Sequence, residues 1–121
     1  MSMDKLIVEA QECVEREYGR AGAKFGLTNN SDHESYAVLL EEMQEAQDES
    51  LSAEQTLNYL WKLIKRNAPD NKKYELLKNL ETRALLAACE FIQVAAMAKK
   101  AAITVCDRAS VQVFKEEGET T

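Results

Sequence analysis

A nearly uncharged run from Ala84 to Ala98 is the feature that most constrains this chain, since it holds one carboxylate, Glu90, and one amide, Gln93. Ala, Leu and Met dominate the run and neither Gly nor Pro interrupts it, so it is predicted to be helical. It is shorter than the roughly 18 apolar residues that suggest a membrane span, and it carries a carboxylate. A helix that is apolar all round is normally buried all round, so we expect this run to form the central helix of a core. A buried carboxylate is costly unless it is paired, which makes the partner of Glu90 the central question.

The rest of the sequence predicts a single all-α domain over residues 1–121. One Pro and four Gly in 121 residues leave few breaks, which favours long helices over many short strands. Apolar periodicity predicts four helices, over about residues 3–18, 32–49, 53–67 and 71–107, and a flexible tail over about 115–121. The expected fold is therefore all-α and similar to a four-helix bundle.

Local signals set the helix boundaries. Gly19 is expected to end the first helix. Ser31 and Glu34 match a capping box, in which each side chain bonds the backbone N–H of the other residue. Ser52 and Gln55 form a second such pattern and predict the start of the third helix.

The net charge and the cysteines indicate which partners and which cellular compartment to expect. The net charge of −6 argues against a nucleic-acid backbone as partner. The three cysteines form no CxxC pair and are expected to be free thiols in a reducing cytoplasm. No basic segment is followed by an apolar one, so no signal peptide is predicted. We expect a cytoplasmic protein without a membrane or nucleic-acid partner.

The apolar run also predicts self-association. If it is buried on every side, a chain of this length can hardly cover it alone, and a homo-oligomer through the fourth helix, a dimer or a tetramer, is the natural remedy. Small residues within the run would let two helices approach closely, namely Ala87, Ala88, Ala95 and Ala98.

The second helix carries an acidic face. Its carboxylates crowd an arc of roughly 120° opposite the apolar side, and they are Glu34, Glu41, Glu42, Glu45, Asp48 and Glu49. Within it, Glu41, Glu42 and Glu45 form the pattern E-E-x-x-E. Like charges one turn apart repel by a few tenths of a kcal/mol, which a bound cation would offset. Three carboxylates so placed can hold one or two Mg²⁺ ions, whereas a solvated acidic face explains the same pattern without a metal.

Glu90 adds to this pattern. If the second and fourth helices pack antiparallel, Glu90 could point at the acidic cluster, and a metal between them would relieve both the repulsion and the buried charge. The alternative is a buried ion pair between Glu90 and one of three cations, Arg83, Lys99 or Lys100.

These residues carry a resemblance to a known family. A helical chain with E-E-x-x-E on one helix and an E-x-x-D motif on a later one resembles the MazG-like all-α NTP pyrophosphohydrolases, relatives of the dimeric dUTPases. The segment from His33 to Glu42 is also similar to small phage and prophage proteins of that superfamily. The resemblance covers about residues 31–100 and the preceding helix. It implies Mg²⁺-dependent conversion of a nucleoside triphosphate to monophosphate and pyrophosphate. The residues implied are Glu41, Glu42 and Glu45 as catalytic and metal-binding groups and Glu90 as a further metal ligand.

Two departures from the family pattern leave the function open. Gln93 stands where the family has Asp, and an amide oxygen can ligate Mg²⁺ but brings no charge. The two motifs are also farther apart than in the family. The alternative function is a phage nucleotide-binding protein without hydrolysis, which sequesters a signalling nucleotide of host immunity. A third is a structural or interaction protein whose acidic residues are only surface.

Five residues are candidates for contacting the nucleotide: Gln93, Lys99, Lys100, Phe25 and His33. The two lysines could reach phosphates or simply be solvated. Phe25 lies in a Gly-flanked loop and is a candidate for an aromatic exposed to ligand. The sole histidine, His33, could contact base or phosphate, whereas its simpler role is to shape the start of the second helix.

Overall fold

The structure, a computed structural model, describes the backbone of residues 3–119 and the side chains of residues 3–110. It consists of three helices, α1 (Met3–Phe25), α2 (Asp32–Lys65) and α3 (Asp70–Glu119), and residues 3–119 contain no strand. The all-α fold class is therefore confirmed. Over the same residues, none of the helices combines the length and hydropathy that crossing a bilayer requires.

The helices predicted over residues 32–49 and 53–67 are one continuous helix, α2. Ser52 does not cap a new helix, because its carbonyl oxygen accepts a 2.9 Å hydrogen bond from the Thr56 hydroxyl inside α2. No Gly or Pro lies near Ser52, and the neighbouring Leu, Ala, Glu and Gln are good helix formers. Three helices therefore take the place of the predicted four.

The first helix continues past Gly19 to Phe25. The two glycines inside α1, Gly19 and Gly22, each cost only about 1 kcal/mol relative to Ala, and the alanines on both sides of Gly22 support the helix. The helix ends at Gly26, whose φ of 92° lies in the left-handed region. The N–H of Gly26 donates a 2.9 Å hydrogen bond to the Gly22 carbonyl, which is the αL type of C-terminal cap.

The last helix is longer than the predicted range of 71–107. Residues 115–119 of the predicted flexible tail belong to α3, and residues 120–121 lie outside the described part of the chain.

Half of the predicted capping box at the start of α2 is present. The N–H of Glu34 donates to the Ser31 hydroxyl over 3.1 Å. The Glu34 carboxylate, however, accepts from the backbone N–H of Asn30, also over 3.1 Å, and not from that of Ser31. These two hydrogen bonds give partners to the backbone N–H of Glu34, in the first turn of α2, and to that of Asn30, in the loop before it.

The turn between α2 and α3 is a Schellman motif. Asn67 has a φ of 51°, and its N–H donates to the Ile64 carbonyl over 3.1 Å. The N–H of Ala68 donates to the Leu63 carbonyl over 3.0 Å. This pair of hydrogen bonds is the signature of a left-handed helix end, and Pro69 then prevents α2 from continuing. The turn folds α3 back along α2.

The chain divides into two compact units. The hairpin unit, Glu41–Phe91, holds the second part of α2 and the first part of α3, and its buried apolar side chains include Ala46 and Leu63. The three-helix unit comprises the residues before Glu41 and after Phe91, and Ala96 is fully buried in it.

Hydrogen bonds fix the loop between α1 and α2 within the three-helix unit. The backbone N–H of Asn29 donates to the buried Thr104 hydroxyl over 2.9 Å, and the Asn29 side-chain amide donates to the buried Ser35 hydroxyl over 2.8 Å. The Tyr18 hydroxyl donates to the Leu27 carbonyl over 2.9 Å. The loop is therefore held by contacts to α1, α2 and α3.

The apolar run is not buried on every side within one chain. Ala87 and Ala96 are buried, but Leu86 and Phe91 are exposed and Leu85 is 67% exposed. The expectation of complete burial is wrong for the single chain, because in the hairpin unit α3 has only α2 to pack against.

Candidate metal site

Three carboxylates from both arms of the hairpin unit converge. Glu42 and Glu45 of α2 and Glu90 of α3 each offer an oxygen atom, and these oxygens all lie within 4.8 Å of one another. Glu42 and Glu45 are three residues apart and share a helix face. The turn after Lys65 brings α3 back so that Glu90 reaches that face.

Burial and mutual repulsion raise the pKa values of these carboxyl groups. Loss of solvent raises the pKa of Glu90 most, and the charges of Glu45 and Glu49 raise it further. Loss of solvent also raises the pKa of Glu42, followed by the charges of Glu45, Glu90 and Glu41. A hydrogen bond with Glu45 also raises the pKa of Glu90, so the protonated form of these carboxyl groups is favoured.

None of the described cationic side chains forms an ion pair with Glu90. Among the described side chains, Glu90 makes no ion pair with Arg83, Lys99 or Lys100, which were its alternative partners. Lys99 pairs instead with Glu15. The cluster is therefore relieved of its repulsion either by a proton shared between its carboxyl groups or by a bound cation.

Glu49 is a fourth acidic residue of this site, which the sequence placed on the acidic face of α2 but did not assign as a metal ligand. Its Oε2 atom is buried and has no hydrogen-bond partner among the described residues. Its charge also raises the pKa of Glu90. The signal was present in the spacing, because Glu42, Glu45 and Glu49 follow one another at three and four residues and so form a single stripe on α2.

Glu41 is not part of the group within 4.8 Å. It is exposed, and its helical position is rotated by about 100° from that of Glu42. Its charge still raises the pKa of Glu42, so it lies close to the cluster.

The donor set suits a hard divalent cation. Mg²⁺ and Ca²⁺ take carboxylate oxygens, and neither needs nitrogen or sulfur ligands. The buried, unpartnered Oε2 of Glu49 and the raised pKa values of Glu42 and Glu90 are what a cation at this point would satisfy. The residues present therefore fit a Mg²⁺ ion.

The predicted nucleotide contacts belong to the three-helix unit, where three of them lie on α3. The side-chain amide of Gln93 donates a 2.9 Å hydrogen bond to Oε2 of Glu17. Lys99 forms its ion pair with Glu15, and its Nζ lies 5.4 Å from the centre of the Tyr18 ring. Lys100 is buried. Gln93 and Lys99 therefore bind α3 to α1.

The other two predicted contacts, Phe25 and His33, are exposed. Phe25 is the last residue of α1 and is 70% exposed, with Lys24 Nζ 5.1 Å from its ring centre. His33 lies in the first turn of α2. Both side chains are accessible to a ligand.

A cleft of about 320 Å³ opens between the arms of the hairpin unit. Its lining combines hydroxyl, amide, aromatic, apolar and cationic side chains, namely Ser52, Gln55, Thr56, Tyr59, Leu76, Asn79 and Arg83. The sequence did not predict this cleft, because Ser52 and Gln55 matched a helix-capping pattern and the other lining residues form no motif.

No family model matches the sequence, and no curated protein or solved structure is significantly similar to it.

Proposed function

We propose that this protein is a Mg²⁺-dependent nucleoside triphosphate pyrophosphohydrolase of the MazG-like all-α type, acting in the cytoplasm. The observation that carries the proposal is the convergence of Glu42 and Glu45 with Glu90 within 4.8 Å. These residues come from the two segments that resemble the family's acidic motifs. The all-α fold is consistent with the same family.

The acidic residues divide into two roles in this proposal. Glu42, Glu45 and Glu90 would hold Mg²⁺, with Glu49 as a fourth carboxylate beside them. When bound, the ion would supply positive charge for the phosphate oxygens and lower the pKa of a water molecule that it coordinates. Glu41 is exposed next to Glu42 and accepts the proton of the attacking water at its carboxylate. The water oxygen bonds to the α-phosphorus, and the bond to the pyrophosphate oxygen breaks.

An assay of the purified protein with Mg²⁺ tests this function. The four ribonucleoside triphosphates and their deoxy counterparts are supplied, and pyrophosphate and monophosphate are measured. We expect turnover that Glu90→Gln and Glu41→Gln abolish and that Glu54→Gln leaves unchanged, because Glu54 is an exposed α2 carboxylate outside the cluster. Equal turnover in all three variants would show that the cluster has no part in the reaction.

Binding of a nucleotide without hydrolysis is a second candidate, favoured by the contact of Gln93. Its amide replaces the family's carboxylate and donates to Glu17, so this position holds α3 to α1 and adds no negative charge. A protein of this kind would sequester its nucleotide. Calorimetric titration separates the two functions, because sequestration predicts Mg²⁺-dependent binding of an intact nucleotide with no pyrophosphate released.

We also propose that the protein is a homo-oligomer that associates through the apolar run of α3. A single chain leaves Leu85, Leu86 and Phe91 of this run exposed, and a second copy packed on the run would cover part of this apolar surface. The small side chains of the run allow a second copy of α3 to approach closely. Light scattering after size exclusion tests this: we expect Leu85→Glu to lower the molar mass and Leu6→Glu, an exposed position on α1, to leave it unchanged.

A further inference from the structure

We propose that the cleft of the hairpin unit binds the nucleoside part of the nucleotide whose phosphates lie at the Glu42–Glu45–Glu90 cluster. This inference rests on the proposed function and adds to it the place where sugar and base are recognised. It does not involve the five contacts predicted from the sequence, which lie in the three-helix unit.

The register of the hairpin aligns the cleft with the cluster. Ser52 follows Glu45 by seven residues on α2, and Arg83 precedes Glu90 by seven residues on α3. Seven residues are two helical turns, or about 10 Å, and they return to nearly the same helix face. The cleft therefore begins about two turns from the cluster on the same side of both helices, a separation that a polyphosphate chain can span.

Arg83 is the cation at the end of the cleft nearer to the cluster. Its side chain is half-buried and makes no hydrogen bond or ion pair with the described residues. A guanidinium group presents a planar set of donors that matches phosphate oxygens. Arg83 is therefore available to bind a phosphate group that extends from the metal site.

The middle of the cleft offers groups suited to a sugar or a base edge. The Thr56 hydroxyl donates its hydrogen to the Ser52 carbonyl, which leaves the Thr56 oxygen as an acceptor towards the cleft. Gln55 and Asn79 each carry an amide with two donors and an acceptor. Such amides can recognise hydroxyl groups or the edge of a base.

Tyr59 and Leu76 line the end of the cleft farther from the cluster. Leu76 supplies an apolar surface, and the Tyr59 side chain is exposed, with Lys62 Nζ 5.8 Å from the centre of its ring. The order from cluster to far end is therefore carboxylates, guanidinium, amides and hydroxyl, then aromatic ring. That order matches the order of metal, phosphates, sugar and base in a nucleotide, and the volume of about 320 Å³ falls in the range of small-molecule sites.

Calorimetric titration with three probes tests the inference. The probes are Mg²⁺ alone, inorganic triphosphate with Mg²⁺, and the ribonucleoside and deoxyribonucleoside triphosphates with Mg²⁺. The cleft variant is Asn79→Leu, and its matched control is Asn58→Leu, an exposed α2 position outside the cleft. We expect Asn79→Leu to weaken nucleotide binding at least tenfold while the affinities for Mg²⁺ and triphosphate stay within twofold of the wild type. Asn58→Leu should leave all three unchanged.

The outcomes separate this inference from the function on which it rests. Unchanged nucleotide affinity in Asn79→Leu and in Tyr59→Ser, with binding intact in the wild type, overturns the cleft assignment alone. A wild-type protein that binds neither Mg²⁺ nor any nucleotide overturns the proposed function and the cleft assignment together. Retained Mg²⁺ affinity in the variants shows that the hairpin unit still folds.

Discussion

Glu45 of α2 and Glu90 of α3 present carboxylate oxygens within 4.8 Å of each other across the hairpin unit, with Glu42 in the same group. The chain supplies no ion pair to this group among its described residues. Like charges held this close oppose folding when all are ionised, so the stability of the hairpin unit depends on protons or on a cation at this point.

The first prediction concerns pH. The folded protein raises the pKa of Glu90 above its ordinary value of 4.5, so the folded state binds more protons than the unfolded state between these two values. Stability therefore falls as pH rises from about the ordinary value through the raised one. Without divalent cations, we expect Glu90→Gln to be more stable than the wild type at pH 7 and about equal to it below pH 4. Urea denaturation at both pH values measures the difference.

The control for this pH effect is Glu54→Gln, which removes an exposed carboxylate away from the cluster. Its stability relative to the wild type should be about the same at pH 7 as below pH 4. A Glu90→Gln variant that is less stable than the wild type at pH 7 would mean that the Glu90 charge is compensated in the folded protein.

The second prediction concerns Mg²⁺ and stability. A ligand that binds only the folded state stabilises it by about 2.7 kcal/mol at 100 times its dissociation constant. We expect Mg²⁺ at pH 7 to raise the melting temperature of the wild type and to have little effect on Glu90→Gln. Glu49→Gln should reduce the effect as well, because the buried Oε2 of Glu49 has no other partner among the described residues. Sodium chloride at equal ionic strength serves as the control, and an equal rise with that salt would indicate charge screening and not a metal site.

The third prediction tests the contact between Gln93 and Glu17. Gln93→Asp replaces the amide donor by a carboxylate facing the Glu17 carboxylate, which was 2.9 Å from the amide nitrogen. We expect a loss of about 1–3 kcal/mol at pH 7, because a partly buried hydrogen bond becomes a repulsion. Adding Glu17→Gln should restore much of the loss, since it removes the repulsion between the two carboxylates. Chemical denaturation of the two single variants and the double variant measures this coupling.

The same variants decide between hydrolysis and sequestration. If the amide at position 93 limits catalysis, the double variant should gain turnover over the wild type in the pyrophosphate assay. No gain, with the fold restored, would show that this position acts only by holding α3 to α1.

Features that depend on neighbouring residues along the chain were predictable from the sequence. Helical periodicity predicted the all-α fold, and Ser31 and Glu34 predicted the start of α2. The continuity of α2 was missed because the cap signal at Ser52 is weak against a segment without Gly or Pro.

Features that depend on contacts between distant residues were harder to predict. The charges of the chain suggested that Glu90 could meet the acidic residues of α2. The cleft was not predicted, because its lining residues come from two helix segments whose relative alignment cannot be read from any sequence motif. Burial was not predictable either, since Trp61 of α2 is a large aromatic residue and yet is 58% exposed. In the hairpin unit, α2 packs against α3 alone, so only one side of each helix is covered.

The fourth prediction compares Gly19, which lies inside α1, with Gly26, which caps the C-terminal end of that helix. Gly26 has a φ of 92°, where a Cβ atom is strained, so Gly26→Ala should destabilise the protein by about 1 kcal/mol. Gly19 lies inside α1, and nothing is within 4 Å of the position that its Cβ would occupy. Gly19→Ala should therefore stabilise the protein by about 0.5–1 kcal/mol, because Ala favours the helix. Urea denaturation of both variants measures whether their changes in the free energy of unfolding have opposite signs. Stabilisation by both substitutions would mean that α1 continues through position 26 once the glycine is replaced, and destabilisation by both would mean that α1 ends near Gly19.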